Sequence, residues 1–194
     1  MKSLQGNLLI ASPRMSDPRF DRTVILVLKH DAKGAVGIIL NRPLEEAAEG
    51  PWQIIDILAN RDDRCIQVGG PVSGPLIVLH GNDDSGSGTR TAIPRGETRA
   101  APNGVFVIQE PAQLERLLEV TDAPLQFFVG HAGWAGGQLE AELADGSWIT
   151  THAAPDFVFG DHEDMWIEAL KQTERCFYSE VLGITRFPID PTMN

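Results

Sequence analysis

The stretch LQFFVGHAGWAGGQLEAEL, residues Leu125 to Leu143, decides the fold. It begins with the apolar run Leu125–Val129, which has the length and composition of a buried strand. Glycines then recur through Gly130–Gly137, and Gln138–Leu143 has the spacing of a short helix that ends at Gly146. Because a strand with both faces covered lies inside a sheet, we expect Leu125–Val129 to be a central strand.

The rest of the chain mixes short strands with helices. Further strands are predicted at Leu8–Ala11, Thr23–Leu28, Val36–Leu40, Cys65–Val68, Leu76–Leu79, Val105–Gln109, Trp148–Thr151 and Asp156–Phe159. Helices are predicted at Trp52–Leu58, from Pro111 onwards, and after Asp161, which we expect to cap the last helix. Several strands follow one another directly, which excludes a purely alternating parallel sheet. The pattern predicts an α+β fold with a mixed, strongly bent sheet flanked by helices.

The composition indicates a single domain spanning residues 1–194. Hydrophobic residues make up 42% of the chain and charged residues 22%, which are ordinary values for a globular protein. A chain of this length can bury roughly 70% of its unfolded surface, so it needs no metal or disulfide to hold a core. There is no internal repeat, and the short loop Gly81–Thr91 is the only candidate for a domain boundary.

Cysteine usage and the N-terminus indicate the compartment. Cys65 and Cys176 lie 111 positions apart, which is typical of two free thiols in a reducing cytosol, so we expect no disulfide between them. The apolar run Leu8–Ala11 is four residues long, whereas a signal peptide needs about 7–15 apolar residues and a membrane helix about 18. We therefore expect a cytoplasmic protein without a membrane segment.

The charge is concentrated in one part of the chain. The formal net charge is −11, and residues 138–175 carry nine acidic and two basic side chains. Such a charge repels phosphate backbones, so we expect no direct binding of nucleic acid. In the N-terminal part, Arg14, Arg19, Arg22 and Arg42 alternate with aspartates, which indicates solvated ion pairs, with an acidic partner surface as the alternative.

Three blocks of sequence together resemble a known family. They are LLIASPRMSDPRFDRTVILVLKHDAKGAVGIILNRP from Leu8 to Pro43, VGGPVSGPLIVLH from Val68 to His80, and FFVGHAGWAGGQLEAEL from Phe127 to Leu143. With Ser147-Trp148 and the spacing between blocks, they resemble the AlgH/YqgE family of bacterial proteins over about residues 4–170. Two departures are His131, where tyrosine is frequent in the family, and Cys176–Asn194, which matches no part of the pattern.

The resemblance implies a fold and a suggested role. It implies a bent mixed sheet that approaches a pseudo-barrel and packs against helices. It implies neither an established enzymatic activity nor a cofactor. The family name comes from a proposed role in transcriptional regulation, so by name alone the chain is expected to be a transcriptional regulator.

The residues give weak signals for catalysis and metal binding. Ser73 lacks the glycine two residues before it that a nucleophile elbow needs, and Ser85 and Ser87 lie in a flexible loop. The five histidines form no H-x-H or H-E-x-x-H pattern. The run Asp161-His162-Glu163-Asp164 fits a capped helix start better than a ligand cluster. We expect no catalytic residue, no metal and no cofactor.

The segment Gly130–Gln138 is the strongest candidate site. Its glycine spacing matches no phosphate-binding loop, and Glu140 and Glu142 oppose an anion, so a tight structural corner is the first interpretation. In that interpretation Gly133 needs a positive φ or a close contact, and a valine there costs more than about 2 kcal/mol.

A site for a neutral or mildly polar ligand is the second interpretation. The loop supplies His131, Trp134, with its indole N–H free for a partner, and Gln138. The predicted ligand-binding set also includes Asn41, just after the strand Val36–Leu40, and His80, just after the strand Leu76–Leu79.

These observations predict a non-enzymatic regulatory domain that binds a partner or a ligand. The partner is a protein or a small molecule whose identity the sequence does not give. An enzyme of unrecognised class that uses a pocket at Gly130–Gln138 is the alternative hypothesis. A regulator that binds DNA directly is a third, which the charge and the lack of a helix-turn-helix pattern disfavour.

Overall fold

The computed structural model describes residues 2–44, 66–81, 98–101, 104–108 and 125–182, with only the backbone described for 98–101 and 176–182. The strands in these ranges are β1 Asn7–Ala11, β2 Val24–Asp31, β3 Gly34–Ile39, β4 Ile66–Val68, β5 Val72–His80, β6 Thr98–Ala101, β7 Val105–Ile108, β8 Leu125–Ala135 and β9 Trp148–His152. The helices are α1 Gln138–Ala144, α2 Pro155–Val158 and α3 Met165–Leu182. None of these helices is long and apolar enough to cross a membrane.

The nine strands form one sheet in the order β6-β7-β5-β8-β3-β2-β1-β9, with β4 added beside β8. All pairings are antiparallel except that of β4 with β8, so the sheet is mixed. Strand β8 pairs with β5 on one side, while β4 and β3 share its other side, beside Phe127–Val129 and Ala132–Ala135 respectively. The central position predicted for Leu125–Val129 is confirmed.

The sheet is bent but not closed. The chain passes close enough for β6 to contact β2, although four strands separate the two along the sheet. Both ends of the strand order, β6 and β9, lack a further strand in the described part of the chain. The expectation of a mixed sheet is therefore confirmed, whereas the pseudo-barrel is not reached. Among the described residues, three helices pack against the sheet, so the prediction of flanking helices is supported in part.

Two apolar layers lie on opposite faces of the sheet. One layer packs beneath α2 and α3 and contains Leu8, Leu26, Phe128, Val158 and Ala169, among others. The other layer packs beneath α1; its members are Leu9, Ala11, Ile25, Val27, Ala35, Ile39, Ala132, Trp134, Leu139 and Trp148. Neighbouring residues of β1 and β2 alternate between the two layers, as the two-residue period of a strand requires.

The glycine-rich segment after Val129 is a strand with a bulge, which corrects the predicted loop. Strand β8 continues through Ala135, and the turn to α1 needs only Gly136-Gly137. At Gly130 φ is +76° and the pairing with β5 shifts register. The extra residues of this bulge lie on β5, where Val72–Leu76 is opposite only Val129–His131 of β8. The alternation of β8 changes at Gly130, so that Phe128 lies in the layer beneath α3 and Trp134 in the layer beneath α1.

The steric requirement lies at Gly130, and the prediction for Gly133 was wrong. A Cβ atom at Gly130 would lie 2.8 Å from the carbonyl oxygen of Gly70 and 2.9 Å from that of Val72. A Cβ atom at Gly133 would meet no atom within 4 Å, and φ there is not positive. Regular strand geometry explains the difference, because residue 133 has a pleated conformation that any side chain adopts.

Two predictions near the last helix are corrected. Residues 156–159 were predicted as a strand, but α2 forms over Pro155–Val158 because proline at the first helical position fixes a helical φ. The cap of α3 is Asp164 and not Asp161, since the Oδ1 atom of Asp164 accepts from the amide of Ile167 at 3.1 Å. The helices predicted at Trp52–Leu58 and after Pro111 lie outside the described residues, as does Cys65.

Candidate functional site

The side chains of the predicted Gly130–Gln138 site bind other residues of the chain. The indole N–H of Trp134 donates to Oε2 of Glu142 at 2.9 Å, and the indole N–H of Trp148 donates to the same oxygen at 2.7 Å. Gln138 donates through Nε2 to Oε1 of Glu142 at 2.9 Å and accepts from the amide of Ala135 at 3.0 Å. The expectation that the indole N–H of Trp134 is free was therefore wrong.

We call Trp134, Trp148, Glu142 and Phe20 the tryptophan cluster. The ring of Phe20 contacts both indoles, at centroid distances of 6.3 Å to Trp134 and 5.7 Å to Trp148. Both tryptophans are buried, with exposed fractions of 6% and 4%. The carboxylate of Glu142 accepts from three donors, Trp134, Trp148 and Gln138, and so links α1 to β8 and β9. The indole N–H groups and the carboxylate are therefore all paired.

The structure does not bring the five predicted ligand residues together. Trp134 and Gln138 meet at Glu142, whereas His131 pairs with Val72 at one end of the β5–β8 ladder. His80 lies at the other end of that ladder, buried and stacked on Phe106 at 5.1 Å. Asn41 lies in a separate cleft. A ligand-binding role for the set stays a prediction, but no single site contains all five.

The cleft that contains Asn41 has a volume of about 540 Å³. It opens between the end of β3 and β4, which both pair with the same side of β8, and it lies next to the loop between α2 and α3. We call it the amide cleft, and its lining residues are Arg22, Leu40, Asn41, Pro43, Gln67, Gln126 and the loop Gly160–Met165.

Arg22 has a strained backbone at the edge of the amide cleft. Its φ of 53° is the only positive φ outside glycine among the described residues. Asn41 supports this conformation, because its Nδ2 donates to the carbonyl of Arg22 and its Oδ1 accepts from the amide of Val24, each at 2.9 Å. The guanidinium of Arg22 pairs with Asp164 and lies 5.1 Å from the ring of Trp166. The half-exposed guanidinium of Arg22 thus has an acidic and an aromatic neighbour.

Two glutamine side chains in the cleft have orientations set by backbone groups. Gln126 donates through Nε2 to the carbonyl of Val158 at 3.0 Å, which turns its Oε1 away from that carbonyl. This Oε1 is buried and has no hydrogen-bond partner among the described residues. Gln67 accepts through Oε1 from the amide of Arg42 at 3.0 Å, and its Nε2 makes no hydrogen bond within the described part of the chain. Among the described residues, Gln67 therefore keeps an unpaired donor, whereas the unpaired oxygen of Gln126 is enclosed by the protein.

His162 lies at the wall of the amide cleft, and its partners require both ring nitrogens to donate. Nδ1 lies 2.6 Å from Oε2 of Glu168, and Nε2 lies 2.7 Å from the carbonyl of Phe157. Both partners are acceptors, so the imidazolium form fits this geometry. Burial lowers the pKa of His162, but the hydrogen bonds to Phe157 and Glu168 and the charge of Asp161 together raise it above its ordinary value.

The sequence profile of a family described as AlgH-like matches residues 8–176. The chain belongs to this AlgH-like family. A UPF0301 protein of Chlorobaculum tepidum is 35% identical over 181 residues, covering 89% of each chain. One from Streptomyces avermitilis is 33% identical over 206 residues, covering 100% of this chain and 97% of the relative.

Two solved structures share the fold of this AlgH-like chain. The solution structure of AlgH from Pseudomonas aeruginosa superposes with a TM-score of 0.67 and 25% identity, covering 96% of this chain and 97% of that protein. The crystal structure of a Corynebacterium diphtheriae protein has a TM-score of 0.71 at 23% identity, covering 89% and 87%, and this likeness shows the fold alone.

Sequence reasoning missed most of the residues that line the cleft in this AlgH-like protein. Only Asn41 was in the predicted set, while Arg22, Gln67, Gln126 and His162 were not. One signal was present: Gln126 is a lone amide in the apolar strand LQFFV, and a polar residue in a central strand needs a partner. The described residues contain no group of three His, Cys, Asp or Glu that could hold a metal ion.

Proposed function

We propose that this chain is a non-enzymatic domain that binds a small molecule in the amide cleft. The observation that carries the proposal is the cleft itself, whose volume of about 540 Å³ is large enough for a small ligand. Gln67 helps to line it, and its Nε2 makes no hydrogen bond within the described part of the chain. A ligand with a hydrogen-bond acceptor can bind this donor.

The strained backbone of Arg22 gives independent support. A non-glycine residue in the left-handed region costs about 1–2 kcal/mol, and such residues cluster at ligand sites. Here Asn41 holds the strained carbonyl in place from the opposite strand, and Asp164 holds the guanidinium. The backbone at this edge of the cleft is therefore held in place before any ligand binds, which lowers the entropy cost of binding.

Binding rather than catalysis fits the residue types in the cleft. The described residues that line it include no serine, threonine, cysteine, lysine or tyrosine, so they offer no common nucleophile except carboxylates and an imidazole. His162, the one imidazole, has both ring nitrogens engaged. At the alternative site the amide of Gln138 and the indole of Trp134 are also engaged, which disfavours an enzymatic pocket at Gly130–Gln138.

The arginines near the cleft also disfavour a nucleic-acid partner. Arg19 pairs with Asp17 at 2.7 Å, Arg22 pairs with Asp164, and Arg42 donates to the backbone carbonyl of Arg19. Engaged guanidinium groups and a net charge of −11 leave little attraction for phosphates. We therefore propose that any regulatory role in the cytoplasm acts through the bound ligand or a protein partner, and that generic duplex DNA binds no tighter than about 10⁻⁴–10⁻⁶ M at physiological salt.

A blocked-cleft variant tests the proposed function. A library of uncharged metabolites is screened by thermal shift against the full chain, and each hit is measured by calorimetry. Glu163→Trp places a large ring at an exposed position of the cleft wall, and Glu174→Trp places the same ring on an exposed part of α3 outside the cleft. We expect hits that bind the parent chain and Glu174→Trp equally and lose at least about tenfold in affinity with Glu163→Trp. Hits that bind all three proteins alike contradict the proposal, as does a library without hits.

A further inference from the structure

His162 lies between two clefts and joins two helices. One is the amide cleft, and the other, of about 550 Å³, lies between α2 and α3. From the loop between these helices, the ring reaches Oε2 of Glu168 on α3 through Nδ1 and the carbonyl of Phe157 on α2 through Nε2. The side chain of His162 is only 10% exposed, so its two ring nitrogens depend on these two partners.

The contact of His162 with α2 depends on residue 160 being glycine. A Cβ atom at Gly160 would lie 2.6 Å from the carbonyl oxygen of Asp156 and 3.1 Å from Nε2 of His162. The bare backbone therefore lets the ring come within reach of α2. The carbonyl of Phe157 has no other hydrogen-bond partner in the part of the chain that the structure describes, so this end of α2 is held to α3 through His162.

We infer that His162 is a proton-dependent clip, which ties α2 to α3 across the loop 160–164 when it is an imidazolium and releases α2 when it is neutral. The imidazolium donates from both ring nitrogens, whereas the neutral ring donates from only one. The carboxylate of Glu168 is a stronger acceptor than a backbone carbonyl, so the remaining proton stays on Nδ1. The proton of Nε2 passes to water, and the hydrogen bond to Phe157 is lost.

Release of α2 changes the amide cleft, because the loop 160–164 forms one of its walls. The shape of the cleft therefore depends on pH. The clip goes beyond the proposed function and does not require it, since the clip is a property of the fold that exists with or without a ligand.

The charged groups around His162 do not titrate near neutral pH. On the side of α2 and α3 they are Asp156, Glu168, Lys171 and Arg175. On the side of the amide cleft they are Arg22, Asp161, Glu163 and Asp164. Carboxylates ordinarily titrate near about pH 4, and lysine and arginine above about pH 10. Of the described residues that line either cleft, only His162 is therefore expected to change its charge between about pH 6 and pH 8.

The clip is expected to open on the alkaline side of an ordinary histidine titration. Burial lowers the pKa of His162, but the hydrogen bonds to Phe157 and Glu168 and the charges of Glu168 and Asp161 raise it above its ordinary value of 6.5. The ring is therefore protonated at mildly acidic pH, where the clip is closed, and loses its proton as the pH rises through the raised pKa.

The test follows the ring and the loop in the same ¹⁵N-labelled full chain. Long-range ¹H–¹⁵N NMR follows the two ring nitrogens of His162 between about pH 5.5 and pH 8.5, and relaxation dispersion follows microsecond-to-millisecond motion of the backbone amides of residues 159–163. His162→Gln cannot donate to both partners. Glu168→Gln supplies an amide that can donate to a neutral ring, so both ring nitrogens keep a partner without a second proton. His152→Gln replaces an exposed histidine outside both clefts and is the matched control.

We expect the loop of the parent chain and of His152→Gln to show no dispersion at low pH and to gain it with the same midpoint as the titration of the His162 ring. Dispersion at every pH is expected for His162→Gln, and none at any pH for Glu168→Gln, which also controls for faster exchange of amide protons with water at high pH. A parent loop that stays rigid up to about pH 8.5 overturns the inference. A rigid loop in His162→Gln, or a Glu168→Gln loop that keeps the midpoint of the parent chain, overturns it as well.

Discussion

The tryptophan cluster and the amide cleft lie on opposite faces of the same sheet and differ in how their polar groups are used. In the cluster, two indole N–H groups and one amide N–H converge on the carboxylate of Glu142. In the cleft, Gln67 and Gln126 each use one end of the side chain to fix the backbone and keep the other end unpaired. The polar groups of the first region satisfy one another, whereas each glutamine of the second has one atom without a hydrogen-bond partner among the described residues.

This difference shows that hydrogen-bond pairing, and not side-chain type alone, indicates which polar residues are candidates for a site. Trp134 and Gln138 have the side-chain chemistry of ligand contacts, but their donors are already occupied. Gln126 is chemically ordinary, but its buried Oε1 has no hydrogen-bond partner among the described residues, as is also true of Oε1 of Gln172. A group that the fold leaves unsatisfied carries more functional information than a group of suitable type.

The separation of the two regions depends on the bulge at Gly130, and Gly130→Val is expected to have the largest effect. The side chain must adopt a φ of +76° and would approach the carbonyl oxygens of Gly70 and Val72 below 3 Å. We expect a loss of more than about 3 kcal/mol in the free energy of unfolding, measured by urea denaturation.

The matched control is Gly133→Val on the same strand. No atom lies within 4 Å of the added Cβ atom, so we expect a change within about 0.5 kcal/mol. If Gly130→Val and Gly133→Val change the free energy of unfolding equally, the bulge is contradicted and the predicted loop is the better description of this segment.

The completeness of the tryptophan cluster is tested by Glu142→Ala. The substitution leaves the indole N–H groups of Trp134 and Trp148 without an acceptor in buried surroundings. We expect a loss of about 2–3 kcal/mol in the free energy of unfolding by urea denaturation. Glu142→Gln keeps one oxygen as an acceptor and is expected to lose less than half as much. If Glu142→Ala and Glu142→Gln lower the free energy of unfolding by the same small amount, the hydrogen bonds of the cluster do not stabilise the fold.

The protonation of His162 is expected to have a smaller effect, which depends on pH. Its pKa is raised in the folded chain, so its contribution to stability is full below the unfolded pKa of about 6.5 and is lost as pH rises through the folded pKa. The difference in unfolding free energy between the parent chain and His162→Gln should therefore decrease above about pH 6.5. His152→Gln, at an exposed position, is the control. If the difference in unfolding free energy stays constant or grows as pH rises, His162 is not held as an imidazolium in the folded chain.

The strands could be predicted because they depend on local sequence. Apolar runs gave β1 and β9 within two residues, and Gly146 ended α1 where expected. The bulge could not be predicted, because the same glycine spacing suits a loop and a strand with one positive φ. The helix α2 was missed because Phe157 and Val158 have strand propensity, and proline at the first helical position outweighs it.

The cleft could not be predicted because its chemistry depends on contacts distant in sequence. The orientation of Gln67 is set by the backbone of Arg42, and that of Gln126 by the carbonyl of Val158, 25 and 32 residues away. Periodicity does not report such contacts. Asn41, from the predicted set, lines the cleft, yet both ends of its amide bind the backbone of Arg22 and Val24 at the start of β2, and neither is free for a ligand.

The smallest expected effect is that of His131→Ala, which follows from the position of His131 outside both regions. Its side chain is half-buried and faces Gly74 across the β5–β8 ladder. A Cβ atom added at Gly74 would lie 3.0 Å from Nδ1 of His131. We expect a change in unfolding free energy within about 0.5 kcal/mol and no change in ligand affinity. A loss of affinity would return His131 to the ligand site and extend the site to this end of the sheet.

Side-chain NMR tests the central claim most directly, because both regions report in one ¹⁵N–¹H spectrum. The NH₂ groups of Gln67 and Gln126 report on the amide cleft, and the indole N–H groups of Trp134 and Trp148 report on the tryptophan cluster. On addition of a ligand from the metabolite screen, we predict that the signals of Gln67 and Gln126 shift in a saturable manner while both indole signals stay in place. Shifts of the indole signals with unmoved glutamine signals would contradict the account.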